Sequence, residues 1–151
     1  MKSEPNVYGI DDLEREGVNL WEGCRSYQVR NTFRDAMQIG DMAFFYHSNA
    51  DPNGIVGVME IASDAFPDPT QFDANSHYYD PKSPPGAPRW LARNVRFVRR
   101  FGRTVSLAEL KSTPGLEQMA VCQKGQRISV LPVTEREWEI VNRLAEQGAA
   151  V

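Results

Sequence analysis

The chain has 151 residues, 41% of them apolar and 25% charged, with a net charge of −3. That length suits one domain with a single buried core, and the composition excludes intrinsic disorder and collagen-like repeats. The longest apolar run, Met42–Tyr46, is far shorter than the ~20 residues that cross a bilayer. The charged, proline-containing start is unlike a secretory signal, so a cytoplasmic protein with no membrane partner is expected.

Gly9–Glu16 predicts a short helix, with Asp11 and Asp12 in its first turn. Gln28–Gln38 predicts a second, since Val29, Phe33, Ala36 and Met37 recur on one side. Arg30 and Arg34, four apart, share another side. Met42–His47 is a short apolar strand. Ile55–Ala62 is a β-branched strand interrupted by Gly57, which marks a bulge or a close backbone approach. Asp64–Arg89 carries six prolines and predicts an ordered loop with a short strand. Phe66, Phe72, Tyr78 and Tyr79 are expected to pin it. Arg89–Phe101 predicts a long strand and Gln126–Val133 a last short one. Ser106-Leu-Ala-Glu109 and Thr134-Glu-Arg-Glu137 match the capping box. The second opens a helix with Trp138, Val141, Leu144 and Ala145 toward the core. Short strands with inserted helices and no βαβ rhythm predict an α+β fold, with a mostly antiparallel sheet or small barrel. No repeat or linker divides the chain, so residues 1–151 form one domain.

Charge is unevenly spread. Residues 24–34 and 89–103 hold nine arginines and no acid. Such segments can hold phosphates locally despite the negative total, or form a solvated face paired with acids elsewhere. Cys24 and Cys122 form no CxxC pair, so a zinc site of that type is excluded and both thiols read as small core fillers. With two histidines and no glycine-rich phosphate loop, neither a metal centre nor a nucleotide cofactor is expected.

Three segments carry chemistry. Lys2-Ser3-Glu4-Pro5 places a cation, a hydroxyl and a carboxylate in sequence; it is either a polar ligand site or a solvated terminus. Trp21 to Asn31 sets two rings beside two arginines and an asparagine. Rings stack on nucleobases and arginines grip phosphates, although core packing with solvated arginines accounts for the pattern as well. Phe45-Tyr46-His47-Ser48-Asn49 ends an apolar strand in polar side chains, as either a pocket or a turn.

Together these segments resemble one family, the EVE domain. The matching stretches are Lys2-Ser3-Glu4-Pro5, Trp21-x-Gly23-x-Arg25-x-Tyr27-Gln28-x-Arg30-Asn31 and Phe45-Tyr46-His47-Ser48-Asn49. Pro67–Phe72, Tyr79-Asp80-Pro81, Pro88-Arg89-Trp90, Ser106–Leu110, Arg127–Ser129 and Pro132-Val133 continue in order. The family is similar to the PUA-like superfamily, with the YTH and ASCH domains. The resemblance implies a small, partly open β-barrel flanked by helices. It also implies a pocket for a modified nucleobase, a cytosine or an adenine, in DNA or RNA. On that likeness Lys2, Ser3 and Glu4 lie at the pocket floor or rim. Trp21 stacks or orients, with Tyr27, Arg30 and Asn31 beside it. Tyr46, His47 and Ser48 form the opposite wall, and Arg25, Arg89 and Arg127 meet phosphates. Cys24 replaces a usual valine and Ser26 a usual asparagine. Relatives carry an apolar run before Lys-Ser-Glu-Pro, so a shortened first strand or an upstream start is expected.

The expected function is a non-catalytic reader of a modified base, with nucleic acid as partner. An ASCH-like hydrolase is the alternative, with Lys2, Ser3 and Glu4 as activator, nucleophile and general acid/base. A protein-interaction or RNA-architecture module is the third reading.

Overall fold

A computed structural model describes residues 1–147. In chain order these form β1 (Lys2–Ser3), α1 (Ile10–Glu16), β2 (Val18–Trp21), α2 (Tyr27–Asn31), β3 (Met42–His47) and β4 (Gly54–Ile61). Then follow β5 (Phe66–Pro67), β6 (Leu91–Ser106), α3 (Leu107–Ser112) and α4 (Glu135–Glu146). The strands lie in the order β1-β3-β4-β6-β2, with β5 also against β6. Only β1 against β3 is parallel; the other four pairings are antiparallel. The sheet curls into a half-barrel of the PUA-like kind. The α+β, mostly antiparallel, partly open barrel anticipated above is therefore the fold.

The sheet is buried on both faces, and β3 shows why. Successive side chains of a strand point to opposite faces. Phe45 enters one cluster with Ile10, Leu13, Trp21, Val29 and Phe33, beneath α1 and α2. Phe44 and Tyr46 enter the other, with Val141 and Ala145 of α4. Trp138 of α4 stacks on Phe44 at 4.0 Å between centroids. The Thr134–Glu137 capping box closes in both directions, so this helix begins where its sequence says.

Gly57 is the anticipated bulge. The register of β4 against β6 shifts between Ile55 and Gly57. Val56 faces the first cluster and Val58 the second, so the pleat reverses parity there. The second predicted helix is shorter and irregular. It runs as α2 and then a π-helical turn, Thr32–Ala36. Buried Arg93 donates to the Phe33 and Met37 carbonyls at 2.6–2.9 Å, tying the end of that turn to β6.

Two local expectations fail. Gln126–Val133 is not a strand. It meets β1 through a backbone bond from Lys2 N–H to Ser129 O at 2.8 Å, and Pro132 has no N–H to continue a ladder. The proline loop is not pinned by Phe72 and Tyr79, both of which are exposed. Buried Gln71 and Asp68 organise it instead. Gln71 Nε2 donates to the Asp68 and Trp90 carbonyls, and its Oε1 accepts from Ser83 Oγ and Trp90 N–H.

Candidate functional site

The two edge strands of the half-barrel, β1 and β2, do not pair with each other. A cleft of about 990 Å³ opens between them. Lys2 and Ser3 line it from β1 with Glu4 just beyond, Asn19 to Trp21 from β2 with Glu22 to Cys24 following it, and Gln126, Arg127 and Ser129 from the extended segment beside β1. Ser48 and Asn49 close one end, and His77 and Tyr78 of the proline loop another. A concave site with aromatic rings and several convergent polar groups is what a small polar aromatic ligand needs.

Each group is held by its own element. Lys2 Nζ donates to Gln126 O at 3.4 Å, and burial holds its amine below the usual lysine range. Ser3 Oγ donates to Tyr8 O at 2.6 Å. Glu4 accepts from Asn49 Nδ2. The Trp21 ring is buried edge-on against Phe45, 5.4 Å between centroids, so its orientation is set by the core. Glu22 is raised above the usual carboxylate range by desolvation and by nearby Asp68, against the pull of Arg25. Burial pushes the Cys24 thiol up to about 11, which makes it a neutral wall group and no nucleophile.

Tyr78 is placed by a network the sequence did not reveal. Asp68 accepts from Gly23 N–H at 2.8 Å and from Arg25 Nη1 at 3.1 Å. Arg25 also donates through Nε and Nη2 to Tyr78 O, at 3.1 and 2.7 Å. Gly23 has φ +82°, and a Cβ there would sit 2.6 Å from the Tyr78 ring.

The cleft thus gathers Lys2, Ser3, Glu4, Trp21, Ser48 and Arg127 from the anticipated set. The others lie elsewhere. Tyr46 points to the opposite face of the sheet because strand alternation puts it there, opposite to Phe45. His47 Nε2 accepts the Ile10 N–H at 3.1 Å, at the start of α1. Tyr27, Arg30 and Asn31 sit on the surface of α2, outside the cleft lining. Arg25 is spent on Asp68, Thr70 and the Tyr78 carbonyl, so it positions the loop and leaves no free fork for a phosphate. Arg89 lies 4.0 Å from Asp80. Six of the nine arginines in the two basic segments face carboxylates in this way. The missed groups are Asn19, Glu22, Asn49, His77, Tyr78, Gln126 and Ser129. Of these, Asn49 and Ser129 belong to matched motifs, Glu22 lies at an open position inside one, and Tyr78 and Gln126 each adjoin one; Asn19 and His77 carried no signal.

His47 gives a pH prediction. Burial depresses its pKa below the ordinary histidine value. The unfolded chain therefore binds the proton more readily, and stability falls as pH drops below about 6.5. Protonation also removes the acceptor that Ile10 N–H uses. Urea midpoints should fall between about pH 7 and pH 5, and His47→Gln should flatten that fall. An identical pH profile in the variant would rule this contribution out.

The model of the EVE domain matches residues 1–144. The chain belongs to the EVE domain family. Human thymocyte nuclear protein 1 is 41% identical over 97% of this chain and 73% of its own length. A structure from Pseudomonas syringae superposes on this EVE domain with a TM-score of 0.93 at 43% identity, covering 96% of this chain and 97% of that one. Human THYN1 protein, solved in complex with 5-methylcytosine-containing DNA, superposes with a TM-score of 0.89 at 41% identity. That match covers 97% of this EVE domain and 96% of the human chain.

Proposed function

We propose that this EVE domain binds DNA carrying 5-methylcytosine and holds the modified base, turned out of its stack, in the cleft between β1 and β2. The observation that carries the reading is the likeness to human THYN1 protein in its complex with methylated DNA, over nearly the whole chain. The cleft chemistry agrees with it. Buried Trp21, braced against Phe45, and half-buried Tyr78 supply the rings of the cleft wall, and base–aromatic stacking contributes roughly 1–3 kcal/mol. Extrusion of the base costs a few kcal/mol, which that stacking and edge hydrogen bonds must offset. Lys2 donates, Glu4 and Glu22 accept, and Ser48 does either. Arg127, exposed at the rim, supplies a cation for the backbone.

The role is recognition without chemistry. Ser3 gives its hydroxyl proton to a backbone carbonyl and not to a base. Activation of a serine nucleophile needs the base that is missing from that contact. A hydrolase built on Lys2, Ser3 and Glu4 is thus the less favoured reading.

Fluorescence polarisation tests the proposal. Oligomers of DNA and RNA would carry one central cytosine, 5-methylcytosine, 5-hydroxymethylcytosine or methylated adenine. One methyl group buried against apolar surface is worth about 0.8 kcal/mol, so a preference of about fourfold or more for 5-methylcytosine DNA is expected. Trp21→Leu, checked for an intact fold by circular dichroism, should lose that preference. Equal binding to every oligomer, steeply weakened by salt, would overturn the reading.

A further inference from the structure

Arg30 stands apart from the paired arginines. Its Nε and Nη2 donate to the Asn31 side-chain oxygen at 3.1 and 3.0 Å, and it makes no ion pair among the described residues. Nearby Asp35 is held bidentately by Arg34, at 2.8 and 2.9 Å. The Arg30 guanidinium lies over the Tyr27 ring, 4.7 Å from its centroid. Tyr27 is 53% exposed and rests on Trp90, 5.0 Å between centroids. Trp90 lies 5.7 Å from the Arg25 guanidinium, which is in turn 5.6 Å from the ring of Tyr78. Tyr78 lines the cleft. A continuous line of rings and guanidinium groups therefore runs from the cleft wall to the surface.

Only the outer end of that line lacks a structural reason. Trp90 is buried and satisfied by Asp80 at 2.7 Å, and Arg25 is fully bonded. Tyr27 and Arg30 instead leave at the surface a ring and a cation that makes no ion pair among the described residues. Turning a base out of a strand also strips its neighbour of a stacking partner. An aromatic surface beside the cleft restores that contact whatever the neighbour's sequence. A guanidinium next to the ring meets the adjoining phosphate.

Building on the cleft reading, we propose that Tyr27 and Arg30 form a second nucleotide site. It holds the nucleotide adjacent to the modified base, with the ring stacking on its base and the guanidinium contacting its phosphate. The site contributes affinity and register but no discrimination between marks.

The test measures binding of the wild type, Tyr27→Ala and Arg30→Gln. The DNA oligomers carry cytosine or 5-methylcytosine at one central position, with intact or abasic neighbours. Tyr27→Ala should weaken binding to both intact oligomers by roughly 5- to 150-fold and leave their ratio unchanged. With abasic neighbours that loss should vanish. Arg30→Gln should reduce the slope of log affinity against log salt by about one. Both positions are on the surface, and unchanged urea midpoints would confirm folding. Wild-type affinity in both variants would overturn the second site while leaving the cleft reading standing. So would a loss that persists with abasic neighbours. Mark-indifferent binding that still falls in Tyr27→Ala would sustain the second site and overturn the cleft reading. No binding by the wild type would overturn both.

Discussion

Asp68→Ala should lower the stability of the fold by about 3–5 kcal/mol and weaken binding to any cleft ligand. Asp68 is completely buried and holds two parts of the molecule together. One oxygen accepts the Gly23 N–H and Arg25 Nη1; the other accepts the Thr70 N–H and hydroxyl, at 2.8 and 2.6 Å. Removing the carboxylate leaves a partly buried guanidinium without its counter-charge and two backbone N–H groups without acceptors. Uncompensated buried charge dominates that cost. The functional effect follows from the same bonds. Arg25 carries the Tyr78 carbonyl, and Gly23 packs beneath the Tyr78 ring, so both supports of one cleft wall loosen together. Urea unfolding and oligomer binding would be measured on one preparation. Asp68→Asn, which keeps one acceptor oxygen, should fall between. An Asp68→Ala midpoint equal to that of the wild type would refute this role.

Gly57→Ala is expected to cost about 3 kcal/mol or more, beyond what helix or strand propensity accounts for. A Cβ at this position would lie 2.2 Å from Ile10 Cδ1 and 2.4 Å from the Arg99 carbonyl oxygen. The isoleucine tip can rotate aside, but the carbonyl belongs to the neighbouring strand. To admit the methyl group, β4 and β6 must separate at the bulge, and the Ile10 tip must turn aside or α1 lift with it. The urea midpoint reports the first effect. Hydrogen exchange at the Ile10 and Leu13 amides reports the second. A variant with wild-type stability and exchange would show that the approach is looser than its geometry implies.

These two positions differ in how visible they are without the fold. Gly57 interrupts a β-branched strand, and a glycine among valines and isoleucines points directly to a bulge or a close backbone approach. Asp68 sits in a proline-rich loop among polar residues, where nothing local distinguishes it from a solvated turn aspartate. Its partners, Gly23 and Arg25, lie more than forty residues away. The basic segments mislead for the same reason. Arg100 pairs with Asp11 and Glu14, and Arg25 with Asp68, across separations no local charge sum detects.

The cleft was partly legible. Lys2-Ser3-Glu4 and Trp21 stand out as motif residues, and they converge because β1 and β2 are the two unpaired edges of one curled sheet. Tyr46 and His47, from the same polar strand end as Ser48, do not converge. Strand alternation turns one into the core, and the start of α1 claims the other.

By itself, then, the sequence determined the helix opened by the Thr134–Glu137 capping box, the Ser106 cap of α3 (without its return bond, since Glu109 pairs with Arg103), the central strands, the bulge glycine and the α+β class. Each depends on residues within a few positions of one another, where periodicity and backbone chemistry act directly. Only the tertiary structure decided which arginines are neutralised and which residues face the cleft. It alone also showed that Gln126–Val133 lies beside β1 without joining it. Those outcomes depend on which distant groups meet and on which face of a strand each side chain falls, and a one-residue change of parity at Gly57 is enough to exchange the two faces.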